Sequence, residues 1–412
     1  MNKHFRTFSA MLILATLMVA CSAPTIEGGT PPSSSDQVAT VVVMTLQALT
    51  PEVDAGETPE PEAPADALLP HTFYFLGTDN TGITQVFRIE RDGKTQKQLT
   101  FEPESVKDYD VSLADESVAY VVGNQLLLVN ADGSDRRLIV EGGAVDENNP
   151  FLNMLHSPVF SPDGQTLAYG YKGLNLYSVS SGASKLVIEN QIEDSGGFPF
   201  PKELYWPERF SPDGTKLLIT LGYYEGASAA IYDPSSNSSV RLTGADTGAE
   251  GALICCDETV WSADGSSIYS ASAAMGMFNS GLWKVDPSTG VATTLFASLY
   301  DSGSYLYADE PYLAPDDQLY FFFAESTIEL NSRAPLQLVR SAPDGMTGRT
   351  VLRPDTFELM TESLWAPDAS FIVVAFAPTP DVYQGGRAEI VYLDGRPNVT
   401  LTPFAQQMRW GP

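Results

Sequence analysis

A unit of about 50 residues recurs along most of this chain, and this repeat limits the fold more than any other sequence feature. The clearest copies read FSPDGQTLAYG, FSPDGTKLLIT and WSADGSSIYSA. The first residues, or anchors, of the six recognisable copies are Val111, Phe160, Phe210, Trp261, Leu313 and Trp365. The anchors are spaced by 49, 50, 51, 52 and 52 positions. Periods of roughly 40–50 residues with several strands in each are typical of β-propeller blades.

Each repeat is predicted to hold four antiparallel strands. The S-P-D-G sequence after the anchor favours a tight turn, because Pro fixes φ and Asp-Gly tolerates the bend. A short apolar run such as LAYG or LLIT forms the second strand. A third strand follows, as in LLLVNADG, and a short fourth strand such as RRLIV completes the unit.

The two ends of the repeat region complement each other. The first repeat has its second, third and fourth strands from Phe73 onward but lacks an S-P-D-G strand before them. The chain stops at Trp410, Gly411 and Pro412, which match the F-S-P that opens other repeats. We therefore predict an all-β fold, a seven-bladed propeller of four-stranded antiparallel blades. The C-terminal strand joins the first blade, so that no sheet edge stays unpaired there.

These repeats resemble those of TolB-like, PD40-type (WD-repeat-like) propellers of the bacterial cell envelope. The resemblance rests on the F/W-S-P-D-G cores and on strand ends such as NADGSDRRL, and it covers about residues 70–412. It implies the fold and not the partners, because the motif residues make turns and core. Typical members of that family have six blades, so a seventh is a departure. Similar propellers precede the hydrolase domain of dipeptidyl-peptidase-like enzymes, but this sequence contains no G-x-S-x-G nucleophile motif.

The first 21 residues are typical of a lipoprotein signal peptide. Lys3 and Arg6 precede an apolar run that is short for a membrane span but suits a signal peptide. The run ends in LMVAC, which resembles the bacterial lipobox and predicts a lipid on Cys21. An ordinary secreted protein, cleaved nearby, is the alternative. Residues 22–69 are rich in Pro, Ser, Thr and Glu and are predicted to form a flexible tether, and residues 70–412 the propeller.

Charge limits the choice of partner. The chain has 52 acidic and 23 basic residues, a formal net charge of -29. Such a charge repels nucleic acid. Three His and three Cys argue against a His-rich zinc site and a disulfide scaffold. We expect an extracytoplasmic protein that contacts the membrane through its lipid only and whose partner is an envelope protein, a peptide or a glycan. No cofactor is firmly implied.

The two faces of the predicted propeller differ. The connections between strands one and two and strands three and four form the turn face, and these are tight turns. The remaining connections form the loop face; they are long and rich in aromatic residues, which favours a ligand-binding role. The predicted ligand-binding residues are Phe198, Phe200, Tyr205, Trp206, Phe278, Tyr305, Tyr307, His156 and Arg209. The alternative is that several of these aromatic side chains fold inward and fill gaps between blades.

Acidic residues recur three positions before the anchors. They are Asp108, Glu258, Glu310 and Glu362. Because the first strand of each blade lines the central channel, these carboxylates are predicted to form an arc around the channel entrance. Clustered carboxylates bind hard cations such as Ca²⁺, or a basic side chain. A solvated rim that binds nothing is the alternative.

Two adjacent cysteines, Cys255 and Cys256, stand in a segment of the loop face. Outside the cytoplasm thiols tend to oxidise, and adjacent cysteines can form only a strained ring. A vicinal disulfide and a pair of buried thiols are both open from the sequence.

Three functional hypotheses follow. The first is a non-catalytic, membrane-anchored binding module or scaffold that uses its aromatic loop face. The second is a metal-dependent propeller enzyme, lactonase-like or glycan-lyase-like, with a site at the channel mouth. The third is a structural envelope component without a ligand. We favour the first, because no catalytic constellation with a diagnostic spacing is present.

Overall fold

The computed structural model of the chain describes residues 67–224, 226–244, 259–273, 280–298, 303–330 and 334–412. These residues belong to the compact unit Ala63–Pro412. They form β-strands and a short 3-10 helix, Pro150–Leu152, and none of their helices is long and apolar enough to cross a membrane. The strands are β1 Phe73–Thr78, β2 Thr84–Ile89, β3 Gln96–Gln98, β4 Asp108–Val111, β5 Val118–Val122, β6 Gln125–Val129, β7 Arg137–Glu141, β8 His156–Phe160, β9 Thr166–Gly170, β10 Gly173–Ser178, β11 Ala183–Glu189, β12 Gln191–Asp194, β13 Pro199–Phe210, β14 Leu217–Tyr223, β15 Gly226–Asp233, β16 Ser238–Arg241, β17 Thr243–Gly244, β18 Thr259–Trp261, β19 Ile268–Ser272, β20 Gly281–Val285, β21 Val291–Ala297, β22 Tyr305–Leu313, β23 Leu319–Ser326, β24 Leu336–Ser341, β25 Thr350–Phe357, β26 Met360–Trp365, β27 Phe371–Phe376, β28 Gly386–Tyr392 and β29 Val399–Trp410.

The described strands group into seven four-stranded antiparallel sheets, numbered here in chain order. Sheets 2 to 6 are β4–β7, β8–β11, β13–β16, β18–β21 and β22–β25. Sheet 1 is β1–β3 with the second half of β29, and sheet 7 is β26–β28 with the first half of β29. The first strand of each sheet, which for sheet 1 is the second half of β29, is called its inner strand below. The short strands β12 and β17 extend sheets 4 and 5.

The S-P-D-G turns form as the sequence predicts. In the third sheet the Ser161 hydroxyl donates to the Asp163 carboxylate at 2.6 Å, and the same carboxylate accepts the Gln165 amide at 3.0 Å. Gly164 follows with φ +67°, a backbone conformation that a side chain would strain. The same hydroxyl-to-carboxylate bond recurs between Ser211 and Asp213. The motif therefore sets the tight reversal between the first two strands of a sheet.

Seven hydrophobic clusters hold the sheets together, and each cluster joins two consecutive sheets. One cluster joins the last sheet to the first: Phe73 and Phe75 of β1 pack there with Val373 of β27 and Ile390 of β28. Sheets that each pack on the next, with the last on the first, constitute a β-propeller. Burial of both faces of the middle strands supplies its core.

The C-terminal strand β29 pairs with two sheets, as the sequence predicts. Its first half pairs with β28, where Val399 lies opposite Ile390. Its second half pairs with β1, where Trp410 lies opposite Phe73 and Arg409 opposite Tyr74. One strand therefore serves as the outer strand of sheet 7 and the inner strand of sheet 1.

Tryptophan anchors join neighbouring inner strands through their indole N–H groups. The Trp410 indole donates to the carbonyl oxygen of Trp365 at 2.7 Å. The Trp365 indole donates to the carbonyl oxygen of Glu310 at 3.0 Å, and that of Trp261 to Arg209 at 3.4 Å. Each bond reaches the preceding sheet, so these anchors contribute to packing and to alignment of adjacent sheets.

The predicted loop-face residues Phe200, Tyr205, Trp206, Tyr305 and Tyr307 lie in strands rather than in loops. Residues Pro199–Phe210 form β13, and residues Tyr305–Leu313 form β22. Both inner strands therefore extend further toward the loop face than the anchor motif indicates. In β13 the burial alternates, so that every second side chain lies in the core, and in β22 Tyr305 and Tyr307 are buried on either side of the half-buried Leu306.

Candidate functional site

The inner strands carry a backbone irregularity three positions before the anchor. Ser157, Glu310 and Gln407 occupy this position in three sheets and have φ values of 51°, 48° and 52°. Left-handed conformations are uncommon for residues other than glycine. The pairing of each of these inner strands with the next strand also shifts register nearby. A bulge thus recurs where the inner strands approach the loop face.

The acids at this position bond to the next sheet. Each of three predicted metal ligands accepts a backbone N–H from the following inner strand, next to or within its bulge. The three pairs are Ser157 N to Asp108 Oδ2 at 2.7 Å, Ser363 N to Glu310 Oε1 at 3.2 Å, and Met408 N to Glu362 Oε1. A bulge leaves an amide without its strand partner, and a carboxylate is a strong acceptor for it. These acids therefore join neighbouring sheets by hydrogen bonds: sheets 2 and 3, sheets 6 and 7, and sheets 7 and 1.

The three described acids of the predicted calcium site do not converge on one another. Among the residues that the structure describes, no three His, Cys, Asp or Glu side chains lie close enough together to hold a metal ion. The physical reason is that Asp108, Glu310 and Glu362 direct oxygens at backbone amides of their neighbours. The fourth predicted ligand, Glu258, lies outside the described residues.

Burial changes the protonation of groups near the channel. It raises the pKa of Asp108 to about 6, although the Ser157 amide and the Arg409 charge lower it in part. Burial also raises the pKa of Asp309 well above its usual range. In both cases loss of solvent raises the pKa more than repulsion from neighbouring carboxylates does.

His156 and Trp206 pack against each other on neighbouring inner strands. Their rings meet edge to face, with centroids 5.6 Å apart. The His156 ring lies over Gly170 and the Trp206 ring over Gly222, where any side chain would collide with them. Burial lowers the pKa of His156 to about 4, so the imidazole is neutral at pH 7. Both residues are half-buried, and their packing is structural.

Three predicted ligand-binding tyrosines belong to the core. The side chains of Tyr205, Tyr305 and Tyr307 are 7%, 6% and 0% exposed. The Tyr205 hydroxyl donates to Glu203 and accepts from Gln191 at 2.8 Å, and the Tyr307 hydroxyl accepts the Leu330 amide at 2.8 Å. Their burial does not fit a ligand-binding role. The alternative that aromatic side chains fold inward holds for these three.

An aromatic patch lies on the loop face of sheet 4. Phe200 of β13 stacks on Tyr224, with ring centroids 5.0 Å apart and planes 30° from parallel. Phe198, at the β12–β13 turn, is 50% exposed and Tyr224 is 61% exposed. Ile192 of β12 and Tyr223 of β14 are also exposed nearby. We call these five residues the aromatic patch; Phe198 and Phe200 are predicted from the sequence as ligand-binding residues, whereas Tyr223 and Tyr224 are not.

Exposed apolar side chains concentrate on the loop face. Fifteen large hydrophobic residues are exposed among the described ones. Eight lie in loop-face segments, five on outer strands and two in turn-face turns. The loop-face residues are Phe101, Met154, Ile192, Phe198, Tyr223, Tyr224, Ile328 and Tyr383. The two faces therefore differ in the number of exposed apolar side chains as well as in the length of their connections.

Arg209 differs from the other predicted loop-face residues because it lies at the end of the inner strand β13. It occupies the position directly before the anchor Phe210, which places it deeper along the channel than Asp108 and Glu362. The remaining predicted residues, Phe278, Cys255 and Cys256, lie outside the described residues, as do Cys21 and nearly all of the tether.

Comparison with known proteins identifies the fold. No protein-family model matches the sequence, and a search of curated proteins found no similar one. The structure is similar to prolyl endopeptidases (12% identity, 83% of this chain and 49% of theirs, TM-score 0.51) and to a puromycin hydrolase (13% identity, 81% and 52%, TM-score 0.52). The chain thus spans about half the length of these two enzymes. TolB from Acinetobacter baumannii is also similar (16% identity, 92% and 73%, TM-score 0.42). At such identities the likeness shows a shared fold alone.

Proposed function

We propose that this chain is a non-catalytic binding propeller of the bacterial envelope, held outside the cytoplasm by a lipid on Cys21, whose loop face binds a polypeptide partner. The observation that carries the proposal is the concentration of exposed apolar side chains on the loop face, eight of fifteen against two on the turn face. Exposed apolar clusters on a rigid scaffold mark interaction sites.

The chemistry of the aromatic patch favours a basic polypeptide. Phe200 and Tyr224 present stacked rings, and such rings attract Lys and Arg side chains as well as sugar faces. Asp194 of β12 is exposed beside the patch, whereas the neighbouring Glu193 pairs with Lys202 at 3.0 Å; the whole chain carries a net charge of -29. Acidic groups around aromatic rings attract a cationic partner more strongly than a neutral glycan.

Envelope pull-down with matched variants tests this site. A triple variant, Phe198→Ala, Phe200→Ala and Tyr224→Ala, removes the exposed rings. Its control, Leu113→Ala with Met346→Ala, removes the two exposed apolar side chains of the turn face. We expect the partner to lose at least about 30-fold in affinity for the triple variant, about 2 kcal/mol. The control should bind within about twofold of the unaltered chain. Equal binding by the triple variant contradicts the proposal.

Salt dependence separates the two partner classes. The association rate of a basic polypeptide should fall steeply between low salt and about 0.5 M, because exposed charges are screened. The association rate of a neutral glycan would change little over that range. Such a result would indicate that the aromatic patch binds a sugar and not a basic polypeptide.

The anchor needs a separate experiment. The full-length chain should incorporate labelled fatty acid in bacterial cells and remain with membranes after a salt wash, because acyl chains anchor by hydrophobic burial. The Cys21→Ser variant should incorporate no label and be released. Label in the Ser variant, or none in the unaltered chain, contradicts lipidation at Cys21.

A further inference from the structure

The strand β12 and the start of β13 form a hairpin that projects from sheet 4. The two strands pair antiparallel, and Gly196 and Gly197 make the turn between them with φ values of 69° and 89°. A two-residue turn with both φ values positive matches the twist of the strands that it joins. All four residues of β12 are exposed, so the hairpin reaches into solvent.

Backbone hydrogen bonds determine which residues of β12 face away from β13. Next to the turn, Ser195 and Phe198 exchange both of their backbone bonds, at 2.9 and 3.4 Å. Bonded and non-bonded pairs alternate along antiparallel strands, so Glu193 also bonds to β13. The N–H and C=O groups of Ile192 and Asp194 therefore point to the free edge of β12. No strand in the described part of the chain pairs there.

The other edge of the hairpin is protected. Pro199 and Pro201 of β13 lie opposite the two residues of β12 whose backbone groups face outward. Their own backbone groups therefore face the far side of β13, where pairing with β14 begins only at Leu204. Proline has no N–H and cannot donate to an added strand, so it blocks exposed edges, and β12 contains none. The hairpin is thus closed to strand addition on one edge and open on the other.

The two faces of the hairpin differ in chemistry. Residues directly opposite each other share a face, so Glu193 lies with Phe200, whose ring stacks on Tyr224. The Lys202 Nζ atom is 3.0 Å from Glu193 Oε1 on the same face, and an exposed ion pair of this kind is weak. Ile192, 36% exposed, lies on the opposite face. A strand added to β12 would meet acidic and aromatic groups on one face and an apolar side chain on the other.

From this geometry we infer that the free edge of β12 binds an extended segment of the partner as an added strand, in which basic and apolar residues alternate. Main-chain bonds to Ile192 and Asp194 give affinity, and alternate side chains give specificity. Because β12 has two acidic residues and no basic one, a second copy of this strand would be repelled, whereas a basic segment is attracted. The inference rests on the proposed function, since it states how the polypeptide partner binds beside the aromatic patch.

Binding of an eight-residue peptide of alternating Lys and Val to the full-length chain, followed by fluorescence anisotropy of a terminal dye, tests the inference. We expect saturable binding, and a loss of at least about tenfold for a peptide of alternating Glu and Val. Two further peptides carry N-methyl groups on the Lys amides only or on the Val amides only. One set of amides faces β12 and the other faces solvent. One methylated peptide should therefore lose at least about tenfold in affinity, about 1.4 kcal/mol, and the other should bind within about threefold of the parent.

A pair of variants tests the same edge from the side of the protein. Ile192→Pro removes an outward-facing N–H that β13 does not use, and it should weaken binding of the Lys–Val peptide by at least about tenfold. Ile192→Ala removes the side chain but keeps the N–H; it is the matched control and should lose no more than about threefold. The methylated peptides need no altered chain, so they test the edge even if the Pro variant distorts the hairpin.

The outcomes that would overturn the inference differ from those that concern the proposed function. Absence of saturation below about 1 mM Lys–Val peptide, equal affinity of the two methylated peptides, or equal affinity of the Pro and Ala variants would overturn it. A dimeric chain that becomes monomeric in Ile192→Pro would also overturn it, because a second copy would then occupy the edge. If the triple variant of the aromatic patch loses its partner while the methylated peptides bind equally, only the strand addition is wrong.

Discussion

Replacing Trp410 by Ala should destabilise the propeller by about 3 kcal/mol, at the low end of the range for buried tryptophans, because the side chain is only partly buried. The Trp410 ring lies 5.7 Å from that of Phe73 and 6.3 Å from that of Phe371, and its indole donates to the Trp365 carbonyl. The substitution removes contacts with both sheets that β29 joins. It also leaves the carbonyl oxygen without this donor, which alone costs about 1 kcal/mol.

Urea unfolding followed by circular dichroism measures this change. With a slope of about 3 kcal/mol/M, the midpoint should fall by about 1 M for Trp410→Ala. Trp410→Phe keeps the ring contacts and loses the hydrogen bond, so its midpoint should fall by about 0.3–0.5 M. Phe101→Ala, at a side chain that is 76% exposed, is the control and should change the free energy of unfolding by less than about 0.5 kcal/mol.

A double-mutant cycle isolates the contact between the two ends of the propeller. Phe73→Leu and Trp410→Ala together should cost less than the sum of their separate costs, because edge-to-face aromatic pairs contribute about 0.5–1.5 kcal/mol beyond burial. A midpoint that does not move in Trp410→Ala, or additive costs in the double variant, would refute the argument that this pairing stabilises the ring.

Three further predictions concern single side chains. The pKa of Asp108 is about 6 in the folded protein, above the value of about 3.9 in the unfolded chain. Between these two pH values the folded protein holds a proton that the unfolded chain has lost, so the free energy of unfolding falls as pH rises through this range. The melting temperature should therefore rise from pH 7.5 to pH 5, by less in Asp108→Asn; an equal rise in both proteins would exclude Asp108 as the cause. Tyr205→Phe should cost about 1–2 kcal/mol in urea unfolding yet leave partner binding unchanged, whereas Tyr224→Ala should weaken binding without a stability change. Arg353→Met should cost about 2–4 kcal/mol, because the buried guanidinium donates to the carbonyl oxygen of Tyr392 at 2.7 Å; Arg353→Lys should recover part of that loss in the same assay.

The number and order of the strands can be predicted from the sequence, because similar turn residues and apolar runs recur at equivalent positions of the repeats. Pro and Asp-Gly fix the turns after the anchors, and the match between the Trp410 segment and the other anchors predicts the pairing of the two ends. These signals are local or periodic. They need no knowledge of which side chains meet across the sheets.

The site was less predictable because burial in the loop-face segments depends on tertiary packing. The alternation of β13 and β22 turns Tyr205 and Tyr307 inward, yet nothing local distinguishes them from the exposed Phe198. The acids of the predicted calcium site do occupy equivalent positions on their inner strands, as their spacing from the anchors predicts. Their hydrogen bonds to the next sheet depend on bulges in that sheet, and the sequence of a single repeat does not reveal those bulges.

The sharing of β29 between two sheets has a consequence for how this protein matures. Tyr109 donates a hydrogen bond to the carbonyl oxygen of Gln407, a residue 298 positions later in the chain. Contacts of such long range form late and slowly. During synthesis the edge of β1 therefore stays unpaired until the last dozen residues have been made. A ribosome-bound or interrupted chain exposes that edge to chaperones and to other chains. Delayed completion would make prematurely terminated chains prone to aggregate rather than to fold.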